Sequence, residues 1–195
     1  MSRLRITYNS PVVLTFTLAA VAVFLLPTSV RDSWFVARPH LDDIHGYVGL
    51  VTYVLGHGNW QHLLSNFMLI LLIGPILEER HGSIPLLVMI LVTALVGGLA
   101  NVVLSSTGLL GASGVVFMMI LLASMANVRA GEIPLTLIII AVVFMGGELV
   151  AELHANDGIS HTAHLVGGAT GAAFGFLGAR PRGGKAAIKP ARPAA

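Results

Sequence analysis

Leu109-Leu110-Gly111-Ala112-Ser113-Gly114-Val115-Val116-Phe117 opens an apolar run that lasts to Ala126. A serine close to glycines on both sides therefore stands at the head of an apolar helix. Gly111 and Gly114 leave no side chain between the Ser113 hydroxyl and an approaching backbone. A helix N-terminus also presents unpaired N–H groups to developing negative charge, the environment that a nucleophile needs. The same small residues would let two apolar helices pack closely, the usual meaning of Gly-x-x-Gly in a membrane. The rest of the chain decides between these readings.

Of the 195 residues, 55% are hydrophobic and 10% charged, with a mean hydropathy of +0.86. These values lie outside the range of a soluble domain. The chain reads as an integral membrane protein, an all-α bundle with six transmembrane helices. Absence of cysteine excludes disulfides, thiolate metal sites and cysteine catalysis, and no metal or other cofactor is expected. The pI of 9.4 does not imply nucleic acid. The basic residues cluster near the two ends of the chain, beside apolar spans, where topology accounts for them.

In chain order, residues 1–10 form a short polar start with Arg3 and Arg5. Spans follow at 11–26, 61–77, 84–104, 112–126, 134–150 and 161–179, and 11–179 is one domain. A cleaved signal peptide would also explain the basic start and first apolar run. Retention of that run as a helix puts both arginine-bearing ends on one side. Residues 28–60 mix charge with Trp34, Phe35 and Tyr47, as a membrane-interface loop does, and Glu78 to Gly82 reads as a tight polar turn. Residues 180–195 read as a disordered basic tail. Among the eleven Lys and Arg, only Arg31 and Arg38 fall opposite the termini, so both ends are expected in the cytoplasm. The lack of a targeting extension favours a bacterial plasma membrane.

The fourth span is short: 15 residues reach only about 22 Å, against a hydrocarbon core of roughly 30 Å. Its serine end is expected below the membrane surface, buried in protein or facing water. Ionisable groups at that depth are costly without partners, yet His62 opens span two and His164 lies one turn inside span six. Spans two, four and six enter from the same side, which brings His62, Ser113 and His164 into one layer. Asn66 shares the His62 face, four residues on. His164 can take the Ser113 proton because imidazole titrates near neutrality. The Ser113 N–H, the His62 ring and the Asn66 amide can serve an oxyanion. Glu148 and Glu152 belong to the outer end of span five, leaving a Ser-His dyad.

With His57-x4-His62-x3-Asn66, Glu78-x-Arg80-x-Gly82, Gly111-Ala112-Ser113-Gly114 and Ala163-His164-x2-Gly167-x3-Gly171 in this order, the chain resembles the rhomboid-family intramembrane serine proteases from about His57 to Gly178. The resemblance implies a six-helix bundle in which Ser113 attacks a peptide carbonyl, His164 is base and then acid, and His62 and Asn66 lie at the oxyanion site. It makes His57, Gly111, Gly114 and the Glu78/Arg80 turn structural, and packs Gly167 and Gly171 of span six against the serine helix. Substrates would be single-span or other transmembrane proteins in the bilayer. There are two departures. Phe117 stands where the family often has tyrosine against the histidine, which keeps the ring and loses the hydroxyl. The family's Trp-Arg pair in the first long loop has no counterpart near Val48-Gly49. A non-catalytic rhomboid-like binding factor is the alternative, and the presence of both Ser113 and His164 argues against it. A histidine-based transporter would need acidic partners within the spans, and only Glu148 approaches that description.

Overall fold

The computed structural model describes residues 7–125, 135–140, 142–143 and 161–178. Its helices are α1 (Pro11–Phe24), α2 (Thr28–Trp34), α3 (Ile44–Thr52, prolonged by a 3-10 turn at Tyr53–Leu55), α4 (Trp60–His81), α5 (Ser83–Leu104), α6 (Ser113–Ser124), α7 (Leu135–Ile140) and α8 (His161–Gly178). Among the described residues the pairing of extended backbone is limited to one bridge, between Ala37 and Leu109. Five of the expected spans coincide with α1, α4, α5, α6 and α8. The fifth in order, 134–150, lies largely outside the described residues, as do the loops that flank it, Glu148, Glu152 and the 180–195 tail.

At 22 residues each, α4 and α5 are long and apolar enough to cross a membrane. Their outward faces agree: Met68, Leu72 and Ile76 of α4, at four-residue spacing, are 70%, 68% and 65% exposed. Such a stripe is a liability in water and a fit to lipid. Composition, long apolar helices and outward stripes together make this a membrane protein.

The core forms around α6. Apolar on every side, α6 must be enclosed, and none of its twelve residues is exposed. On one side α8 lies against it backbone to backbone, Gly167 on Gly114 and Gly171 on Met118. α4 also packs on α6, and α5 touches both α6 and α8, the latter through Thr93 and Thr170; α3 lies against α5, where Gly97 and Gly98 of α5 admit the Tyr53 hydroxyl and the Leu50 carbonyl.

Two expectations need correction. Residues 78–81 form the last turn of α4, not a turn between spans. Glu78 is buried, and its two carboxylate oxygens accept the N–H groups of Val12 and Val13 in the first turn of α1, with Ser83 Oγ donating as well. That gives the carboxylate partners at a helix start, while Arg80 and His81 suit the carbonyl end of α4. Gly82, at φ +91°, makes the reversal by itself. The 28–60 segment, in turn, is folded rather than a plain loop. Asp43 caps α3 by accepting from Gly46 N–H at 2.9 Å. Asn101 Nδ2 donates to the carbonyls of Ala37 and Thr107 at 3.1 and 3.0 Å. In the same segment Arg31 Nη1 donates to the Phe24 and His57 carbonyls at 3.4 and 3.2 Å, its guanidinium lying 5.0 Å from the Phe24 ring centre.

Candidate active site

Ser113 is the first residue of α6, and the preceding Ala112 supplies no side-chain cap. The first backbone bond of the helix runs from Val116 N–H to the Ala112 carbonyl at 3.0 Å, so the N–H groups of residues 113–115 precede the intrahelical ladder. The approach to this end depends on Gly111, which sits at φ +119° while its N–H binds the Tyr53 carbonyl. A Cβ there would fall 2.6 Å from His62 Nε2. Only glycine meets both the dihedral and the space.

Asn59 caps α4 by accepting from the His62 backbone N–H at 2.8 Å, which fixes the first turn that carries His62. One turn on, buried Asn66 has its Nδ2 3.1 Å from His57 Nε2. His57 is 2% exposed, its Nδ1 is 3.2 Å from the Leu55 carbonyl, and its ring meets that of His62 edge-on at 4.9 Å. His57 lies between the 3-10 turn and α4, outside the spans. Burial pushes its pKa down to about 4, against the opposing pull of the Leu55 carbonyl and with help from His62.

From α8, the His164 ring stacks on Phe117 at 4.6 Å between centres and 6° between planes. Phe117 is four residues after Ser113, so it shares the serine's face of α6. The Gly167–Gly114 contact, one turn beyond His164, brings the first turns of the two helices together.

His62, Asn66, Ser113, Phe117 and His164 all line one cavity of about 870 Å³. His57 stands behind Asn66, Gly171 lies between α6 and α8, and the Glu78 turn is at the far end of α4. Sequence reasoning missed two groups. One is a set of hydroxyls on the cavity wall, Ser105, Ser106, Thr107 and Thr162, which no spacing in the sequence signals, whereas Ser65 beside them stands out as a polar residue at the start of span two. The other is Arg31, whose sequence neighbours give no sign of a contact with His57. Chemically the cavity offers the Ser113 hydroxyl at a helix start, two imidazoles and a side-chain amide, with further hydroxyls on its wall.

A protein-family model described as Rhomboid domain matches residues 45–181, well over half of the chain and all of the cavity's α4, α6 and α8 residues. A comparison with curated proteins finds no match.

Proposed function

As this chain belongs to the rhomboid family, we propose that it is an intramembrane serine endopeptidase with Ser113 as nucleophile and His164 as general base. The observation that carries this reading is the single cavity shared by Ser113, His164, His62 and Asn66. The Ser113 hydroxyl oxygen attacks the carbonyl carbon of a peptide bond as His164 takes its proton. The tetrahedral oxyanion receives hydrogen bonds from the Ser113 N–H, the His62 ring and the Asn66 amide. His164 then gives the proton to the leaving amine. Water, deprotonated by the same imidazole, releases the acyl group and restores the serine. The Phe117 ring stacks on the face of His164, which limits how the imidazole can tilt. Each oxyanion donor is worth about 2.7 to 4 kcal/mol to the transition state.

The substrate is a transmembrane segment in the bilayer, cut near the outer face. The protein is a multi-pass plasma-membrane protein of a bacterium with both ends cytoplasmic, consistent with its arginine and lysine asymmetry. Residues 11–179 form the protease domain and 180–195 a basic tail. The test is labelling of the detergent-solubilised protein with a fluorophosphonate probe. Wild type is labelled and Ser113→Ala is not; equal labelling of both removes Ser113 as nucleophile.

A further inference from the structure

We infer that His57 is a positioning residue that dictates which end of the Asn66 amide faces the cavity, and that Arg31 holds His57 in that role. The inference rests on the protease reading above, since Asn66 matters only where an oxyanion forms.

The Leu55 carbonyl can only accept a hydrogen bond, so the His57 Nδ1 that meets it carries the proton. In the neutral ring Nε2 is then bare and can only accept. Its partner must be the amide nitrogen of Asn66, 3.1 Å away, because a reversed amide would set the Oδ1 lone pairs against those of Nε2. One N–H of Nδ2 is thereby taken up by His57. The other is left for the cavity that Asn66 lines. With its amide reversed, Asn66 would present an acceptor and repel an oxyanion. A chain of two hydrogen bonds thus turns an ambivalent amide into a donor.

Arg31 secures the other end of this chain. Its Nη1 donates to the His57 carbonyl, and Nη2 lies 3.2 Å from Thr28 Oγ1, so one side chain ties α2, the end of α1 and the His57 loop together. A forked guanidinium can satisfy several acceptors at once where a lysine ammonium offers a single point of attachment.

The test follows cleavage of one transmembrane substrate by wild type, His57→Leu, His57→Gln, Arg31→Leu, Asn66→Ala and the His57→Leu/Asn66→Ala double variant. His57→Leu lowers kcat by about 10- to 100-fold with KM changed less than about twofold, as expected for a donor used in the transition state. His57→Gln, which keeps an acceptor near the Nε2 position, recovers most of the rate, and Arg31→Leu shows a smaller loss in kcat alone. In the Asn66→Ala background His57→Leu costs less than about twofold more, because its whole effect passes through Asn66. Losses that multiply in the double variant, or a His57→Gln no better than His57→Leu, overturn the inference. Nitrogen-15 spectra of histidine-labelled Ser113→Ala protein supply a readout independent of activity. They should show His57 protonated on Nδ1, and protonation on Nε2 overturns the inference. If wild type cleaves nothing, the protease reading falls while the tautomer still decides the Asn66 orientation.

Discussion

Gly167→Ala should damage both the fold and the chemistry through one methyl group. A Cβ at position 167 would lie 2.7 Å from the Gly114 carbonyl carbon and 2.8 Å from its Cα, whereas nonbonded carbons prefer about 3.5 to 4.0 Å. The obstacle is backbone, which cannot swing aside, so α8 must retreat by roughly 1 Å at this level. Overpacking of this kind costs about 1 to 3 kcal/mol, or about 2 to 12 °C in the thermal midpoint for a chain of this size. The displacement also shifts His164, one turn away, in the cavity that Ser113 also lines. A misplacement of about 1 Å in catalytic geometry is worth roughly 100-fold in rate. The assay pairs thermal unfolding in detergent with cleavage of a transmembrane substrate. Gly58→Ala serves as control, because a methyl group there meets nothing within 4 Å. A Gly167→Ala protein with the midpoint and turnover of Gly58→Ala would refute the close-packing argument.

Removing the base and removing a donor should look different. His164→Ala takes away the proton acceptor and should reduce cleavage to background, while Asn66→Ala and His62→Ala each leave a measurable rate, lowered by about 2.7 kcal/mol or more in transition-state stabilisation; a folded His164→Ala enzyme with near-normal turnover would discard the dyad. Glu78→Ala strands two N–H groups of the first turn of α1, at about 1 to 3 kcal/mol each. The midpoint should fall while turnover at low temperature holds, since Glu78 is about 18 Å along α4 from Asn66. For pH, the unfolded chain takes up a proton at His57 near 6.5 and the folded chain only near 4. Stability should therefore be complete above about 6.5 and decline as pH falls toward 4, and His57→Gln should flatten that part of the profile in denaturation measurements. A Gly-containing substrate segment should be cut faster than its poly-Leu counterpart, because a helix hides its carbonyls until it unwinds; equal rates would contradict this.

Helices with a uniform apolar pattern were legible from the sequence within a few residues. The start of α6 at Ser113 was readable because Gly111 and Gly114 punctuate an otherwise unbroken run, and its enclosure because no polar face interrupts it. That His62, Ser113 and His164 share a cavity agrees with span parity, a rule about direction that needs no side-chain detail, and Asn66 joins them through its four-residue spacing from His62. Residues 28–60 were opaque, because α2 and α3 are short and lack a sustained period. They are held by tertiary contacts from Arg31 and Asn101 that no local pattern encodes. Charge density at Glu78 to His81 suggested a turn, since the sequence does not reveal that the first turn of α1 arrives to use the carboxylate. The His57–Asn66 contact was hidden for the same reason, one partner lying in a loop and the other on a helix.

The enclosure of α6 separates two lengths that a membrane protein could otherwise have kept equal. At 22 residues, about 33 Å, α4 and α5 slightly exceed the roughly 30 Å hydrocarbon core, and their outward stripes feel every change in its thickness. With no exposed residue, α6 does not, so the depth of Ser113 is fixed by neighbouring helices alone. A substrate helix lying in lipid follows the bilayer instead, tilting or shifting as acyl chains lengthen. Under the proposed protease function, hydrophobic mismatch between the two would act as a ruler, acyl-chain length selecting which peptide bond of a given substrate comes level with the serine.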